Sequence, residues 1–323
     1  MKLKYYEIDE DELLKKIGDE KRVVIKLPEG FINYSSKISE FLSKNGIDAI
    51  IYASPVYGAC DFVSVDRKTI FIGEAEMPYL KKVYKNIEFV EARYEYDVKF
   101  LRKVVDNMGE KIGLASITPF IHKIKEAKKF LEENGKIVYI GKKSRRTKYD
   151  GQVLGCDFSS ATSIANMVDG FILIGDGFFH AIGLAIATRK NVFIANPLSK
   201  EIKKCDEMKE KLLKQRYAII AKAMDAKNFG IIVGEKKGQT RYRLAMEMKK
   251  LAEQHGRKAS LMMANNITNY IDYSDFDAFV STACPRVAID DAMKFKKPVL
   301  TPIEFEILLG ERDWNNYEFD QIL

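Results

Sequence analysis

The residues of this chain best suited to carry chemistry are four cysteines: Cys60, Cys156, Cys205 and Cys284. They are far apart in a chain that looks cytoplasmic, so a disulfide framework is not expected. No pair has the spacing of a zinc finger. Three of them sit in short loops that follow apolar runs: VYGAC, VLGC and STACP. Three thiolates converging on one point favour a soft centre, either zinc or an iron–sulfur cluster. A four-iron cluster held by three protein thiolates leaves one iron open for substrate, as a catalytic zinc keeps one position free. The bland alternative is three unrelated buried cysteines behaving as small hydrophobes. Cys205, in LSKEIKKCDEMKEKLLKQ, reads as part of a charged helix and not as a ligand.

The elements that must position these loops repeat three times. VVIKL (23 to 27) precedes a helix-period segment in which Ile38, Phe41 and Leu42 recur and Gly46 marks the stop. IDAIIYAS, TIFIGE and IEFVEA supply further strands. A second pass opens with KIGLASI, continues through a helix from about Pro119 to Asn134, and adds the strands KIVYIGK, FILIG and VFIANP. A third opens with FGIIVGE, passes through the helix RYRLAMEMKKLAEQHG, and ends with KASLMMAN, FDAFVS and KPVLTP. Continuous apolar strands alternating with helices predict parallel sheets covered on both faces. The expected fold is therefore α/β: three similar Rossmann-like parallel-sheet domains around a pseudo-threefold axis. Their boundaries are 1–105 with Cys60, 106–215 with Cys156, and 216–323 with Cys284. Cys60 and Cys156 each follow the second strand of their unit, whereas Cys284 follows the third. The loops beyond strand ends form the edge where ligands bind in open α/β sheets.

Composition sets the outer bounds. The 323 residues are 46% hydrophobic and 31% charged, which is ordinary for a folded globular chain. No apolar run is long enough for a membrane span, and MKLKYYEIDEDELLKK lacks the apolar stretch of a secretory signal. The expected location is cytoplasmic, with no membrane partner. The net charge of +7 is spread as mixed Lys and Glu, which demands no direct nucleic-acid contact. GEKKGQT is too short and has Gln239 where a phosphate-binding loop needs lysine, so triphosphate hydrolysis is excluded. LMMAN reads as a buried strand with core methionines.

Several segments, in matching order along nearly the whole chain, resemble the archaeal diphthamide synthase catalytic-subunit family. They are LPEG (27 to 30), YGAC (57 to 60), RTKYDGQVLGCDFS (146 to 159), IGDGFFHAIGLAIAT (174 to 188), KKGQTR (236 to 241), DAFVSTACPRVAIDD (277 to 291) and KPVLTPIEFE (297 to 306). These are non-conventional radical-SAM enzymes, 2-(3-amino-3-carboxypropyl)histidine synthases. The resemblance implies a [4Fe-4S] cluster on Cys60, Cys156 and Cys284 and S-adenosylmethionine (SAM) as co-substrate. It implies transfer of the 3-amino-3-carboxypropyl group to C2 of one histidine of translation elongation factor two, with methylthioadenosine released. It also implies a homodimer and an electron donor. The sequence departs from the family pattern in three places: FIGEAEMPYL replaces an HxGH-like segment, IGDG replaces IGGG, and Ala181 stands where proline is common.

Further site residues are expected around SAM. Gly175 and Gly177 lie between a strand and a helix, where glycines permit close backbone approach and the helix start offers free N–H groups. A plain tight turn is the alternative. His180, just inside that helix, is a candidate contact, although a lone helical histidine is more often structural. Arg286 suits the SAM carboxylate, against a surface ion pair with Asp290 one turn on. Gln152 is a candidate hydrogen-bonding residue near the cluster, or a turn residue. KKSRRTK (142 to 148) is either a solvated charge run or a surface steering an acidic elongation factor. Two rival functions use the same architecture: a dehydratase of the quinolinate synthase type, in which the open iron acts as Lewis acid, and a non-catalytic accessory subunit.

Overall fold

β-Branched and aromatic residues in runs such as VVIKL and FILIG cover both faces of a parallel sheet, and the chain uses them in that way. The computed structural model describes residues 1–61, 67–81 and 83–323. Its longer strands build three sheets, with parallel pairing around the first strand of each. The first has the order Asp48–Ile51, Arg22–Lys26, Thr69–Ile72, Ile87–Val90. The middle sheet runs Ile137–Tyr139, Lys111–Ser116, Gly170–Ile174, Asn191–Asn196, Glu201–Lys204. The last runs Lys258–Ala264, Asn228–Gly234, Ala278–Ser281, Val299–Leu300. Numbered by chain order within each sheet, the first four strands lie second, first, third, fourth in all three, and the middle sheet adds a fifth beside its fourth. The chain thus leaves the first strand in opposite directions. In such sheets the loops at the carboxyl ends of the first and third strands border a ligand crevice.

The helices cover these sheets through narrow apolar stripes. Ser35–Lys44 buries Ile38 and Leu42, Ile124–Glu133 buries Ile124, Ala127 and Leu131, and Tyr242–Gln254 buries Ala245, Met248 and Ala252. The first of these stops at Gly46, whose φ of 73° is the left-handed conformation that glycine adopts without a Cβ penalty. A small antiparallel sheet, Lys2–Leu3, Tyr6–Ile8 and Ala92–Arg93, escaped the strand pattern because its members are too short to show a period. Glu201–Lys204, EIKK, adds a polar edge strand to the middle sheet, where charge is tolerated and discourages edge pairing.

The chain divides into two compact units. The first comprises Met1–Leu154, Ser159–Asp176 and Phe193–Lys203; the second comprises Gly155–Phe158, Gly177–Val192 and Lys204–Leu323. The second unit contains a fully buried ion pair. Arg216 and Glu304 are both 0% exposed, joined by two contacts of 2.7 and 2.6 Å. Arg216 also donates to the carbonyls of Ala288 and Val299, and Tyr317 donates to Glu304 at 3.0 Å. Glu304 closes a capping box with Thr301 at the start of helix Pro302–Leu309. Removing one partner of such a pair leaves a buried charge and costs about 3–5 kcal/mol.

Candidate metal and cofactor site

In the first unit, Cys60 lies in the loop that leaves the second strand of the first sheet. Gly58 there has a φ of 137°, which a side chain would strain. The Asp61 N–H donates to the Gly58 carbonyl at 2.9 Å, and the Tyr57 N–H donates to the Asp61 carboxylate at 3.1 Å, closing the turn around the cysteine. Cys60 is half-buried against an apolar cluster that includes Val56, Phe71 and Phe89. Lys26, at the end of the first strand, donates to the Asp61 carbonyl at 2.9 Å.

The second unit supplies Cys156 and Cys284. Cys156 is 8% exposed in the loop Gly155–Phe158. A Cβ on Gly155 would lie 2.6 Å from the Phe179 ring, so this glycine is required by packing. Cys284 is the N-cap of the short helix Pro285–Ile289, with φ −66° and ψ 130°. Proline at the first helical position fixes the direction in which the chain leaves the cysteine.

The two loops are held by the C-terminal tail. The Ile322 N–H donates to the Cys156 carbonyl at 2.8 Å, and the Phe158 N–H donates to Gln321 Oε1 at 2.9 Å. The Phe319 ring packs edge-on against Phe158 and Phe179. Arg241 forms a bidentate pair with Asp320, 2.6 Å at each contact, and donates to the carbonyls of Thr282 and Ala283 at 2.7 and 3.0 Å. Those carbonyls immediately precede Cys284. A planar guanidinium is the side chain able to satisfy a carboxylate and two carbonyls together.

The remaining expected site residues divide between the units. Gly175 belongs to the first and Gly177 to the second. Gly177 caps helix Phe178–Thr188 with an ordinary extended backbone, and a Cβ there would meet only His180 Nδ1 at 3.6 Å. His180 is desolvated and faces the Arg286 charge, which together lower its pKa to about 4, so it is neutral at physiological pH. The Arg286 guanidinium lies 5.4 Å over the Phe179 ring and pairs with Asp290 at 2.9 Å, the arrangement weighed against a carboxylate contact. Gln152 is buried, and its side chain is committed to its own turn. Oε1 accepts from the Lys148 and Tyr149 N–H groups at 2.9 and 3.1 Å, and Nε2 donates to Thr118 at 3.3 Å.

Cys205 is fully buried at the N-cap of helix Asp206–Lys222, one position before the helix in which the sequence pattern placed it. Burial and the nearby Asp206 push its thiol up to about 12, which disfavours the thiolate a metal requires. The basic loop is only partly solvated. Arg146 is buried and donates to the Tyr79 hydroxyl at 2.9 Å, and Lys148 pairs with the buried Glu91 at 2.6 Å.

Sequence reasoning passed over Lys26, Arg241, Asp320 and Glu74. Lys26 did carry a signal, a charge inside an apolar strand; Arg241 and Asp320 carried none, because 79 residues separate them. Glu74, just beyond the third strand of the first sheet, has its pKa raised by burial to about 7.

Residues 27–319 match the family model for diphthamide synthesis proteins. The chain belongs to the diphthamide synthesis family. Among members of that family, it is 40% identical to the 2-(3-amino-3-carboxypropyl)histidine synthase of Pyrococcus horikoshii, over 98% of this chain and 94% of the relative. The corresponding enzyme of Methanocaldococcus jannaschii is 29% identical over 93% and 87%. Subunit 1 of the Saccharomyces cerevisiae synthase is 26% identical over 90% and 71%. The crystal structure of Dph2 from Pyrococcus horikoshii with a 4Fe-4S cluster superposes with a TM-score of 0.87 at 39% identity, covering 99% of this chain and 95% of that one.

A cluster of that kind fits the donor set of this family member. Among the described residues, no group of three or more His, Cys, Asp and Glu side chains is placed to hold a single metal ion. Cys60, Cys156 and Cys284 each lie in a loop beyond a strand end. The donors are thiols only, soft ligands that suit iron–sulfur centres. The fourth cysteine is chemically set apart by its raised pKa.

Proposed function

We propose that this chain is a 2-(3-amino-3-carboxypropyl)histidine synthase. It transfers the 3-amino-3-carboxypropyl group of SAM to C2 of a histidine of translation elongation factor two, the first step of diphthamide biosynthesis. The observation that carries this reading is 40% identity over 98% of the chain with the Pyrococcus horikoshii synthase, all three loop thiols being present. The strand order shared by the three sheets supports reading 1–105, 106–215 and 216–323 as three similar modules.

When bound, a [4Fe-4S] cluster supplies the single electron that cleaves SAM on its aminocarboxypropyl side. The protein's part is to hold and orient. Cys60, Cys156 and Cys284 would hold the cluster. Arg241, Asp320 and the tail fix two of the ligand loops before any ligand arrives. Gly175, Gly177 and neutral His180 line the SAM side, where a histidine without charge avoids repelling the sulfonium. Arg286 reaches the SAM carboxylate by exchanging Asp290, and Gln152 supports the Cys156 side through its turn. The chain works as a homodimer in the cytoplasm, takes its electron from a separate donor, and docks the elongation factor through the solvated part of the basic loop. Among the described residues no helix is long and apolar enough to cross a membrane.

The deciding experiment is anaerobic incubation of the iron- and sulfide-reconstituted protein with dithionite and SAM, followed by nucleoside chromatography. Methylthioadenosine is the expected product. 5′-Deoxyadenosine would overturn the stated bond cleavage. Neither nucleoside, with a cluster present, would favour the dehydratase or the accessory subunit.

A further inference from the structure

One charged side chain lies in the first sheet where the strand pattern calls for an apolar one. Lys26 ends strand Arg22–Lys26 and is 1% exposed. Taking an ammonium out of water costs several kcal/mol unless its protons are satisfied, so its place here needs a reason. Its Nζ donates to the Asp61 carbonyl at 2.9 Å and lies 4.6 Å over the Tyr52 ring. Asp61 directly follows Cys60, and the same residue closes the turn through its N–H to Gly58 and its carboxylate to Tyr57. The tip of Lys26 therefore grips the carbonyl of the residue that follows the thiol, and the ring face of Tyr52 stabilises the cation there.

We propose that Lys26 is a positioning residue for Cys60 whose buried positive charge stabilises the reduced form of the cluster. The inference rests on Cys60 being a cluster ligand. One-electron reduction adds a negative charge. A cation held one peptide from a ligand, in surroundings less polar than water, favours that charge. Net charge and hydrogen bonding around the ligands are among the protein's means of setting a cluster's potential. The grip also fixes the loop before iron arrives.

The test uses the full chain, reconstituted anaerobically, as wild type, Lys26→Gln, Lys26→Met and Cys60→Ala. Iron content is measured, and the cluster is titrated with dithionite and mediators while the reduced signal is followed by electron paramagnetic resonance. Lys26→Gln keeps a donor within reach of Asp61 without the charge. Both lysine variants are expected to show a more negative midpoint, with the reduced-to-oxidised ratio about tenfold lower at the wild-type midpoint, or ~59 mV for one electron. Lys26→Met is expected to lose iron to a chelator faster than Lys26→Gln. Wild-type potentials in both variants, with a full cluster, would overturn the proposal and leave Cys60 as a ligand. A full cluster in Cys60→Ala would overturn the ligand assignment and the proposal with it. Should neither lysine variant load a cluster, Lys26→Arg decides. Its charge and donor should restore loading and the wild-type potential, and failure to do so would overturn the proposal.

Discussion

Arg241 and Asp320 form a bidentate ion pair, 2.6 Å at each contact, that joins the C-terminal tail to the two carbonyls preceding Cys284. The same tail bonds the Cys156 carbonyl through the Ile322 N–H. Two cysteine loops far apart in sequence thus share one anchor. Asp320→Ala should leave the largely buried guanidinium without its counter-charge, lowering stability by about 3 kcal/mol. It should also lower iron retention, because both loops lose their common support. Urea unfolding of the apo-protein and iron content after reconstitution check the two effects separately. Full iron retention in a destabilised variant would mean that the tail serves the fold alone.

The cysteines should separate three to one. Cys60→Ala, Cys156→Ala and Cys284→Ala should each abolish the visible absorbance of the reconstituted cluster. Cys205→Ala should retain it, since the Cys205 thiol is pushed up to about 12 by burial. Loss of iron in Cys205→Ala alone would overturn the assignment.

His180 gives a pH dependence of known sign. Its folded pKa, about 4, lies below the ordinary 6.5, so the unfolded chain takes up a proton first as pH falls. Its contribution is fully present above about pH 6.5 and is lost progressively down to pH 4, by at most about 3 kcal/mol at 1.36 kcal/mol per pKa unit. Urea midpoints of wild type and His180→Gln should therefore converge towards pH 4 or cross, relative to their separation at pH 8. A constant separation would place the imidazole in water.

Glu74 works over an overlapping range. Its pKa rises from the ordinary 4.5 to about 7, so the folded state holds the proton that the unfolded state releases. Its effect is absent below about pH 4.5, grows unfavourable as pH rises to 7, and is constant above. Glu74→Gln should match wild type at pH 4 and exceed it at pH 8 by up to about 3 kcal/mol. Because the His180 effect has the opposite sign over pH 4.5–6.5, each must be read by difference against its own variant.

The sequence by itself determined the longer parallel strands and singled out three loop thiols as candidate ligands. Parallel strands buried on both faces must be apolar throughout, so VVIKL, FILIG and FGIIVGE could be recognised without any knowledge of their neighbours. Loops after such strands, VYGAC, VLGC and STACP, placed Cys60, Cys156 and Cys284 beyond strand ends, and the charged surroundings of Cys205 set it apart. Only the tertiary structure decided what holds those loops. Hydrogen bonds such as Arg241–Asp320, Ile322–Cys156 and Lys26–Asp61 join residues 35 to 166 positions apart, and no local period records a contact of that kind. It also decided the use of side chains whose type permitted several roles. Gln152 closes a turn, Arg286 pairs with Asp290, and Arg146 is buried inside a run that reads as solvated charge. Residue type fixes which bonds a group can make; the fold decides which partner arrives first and how much water is left.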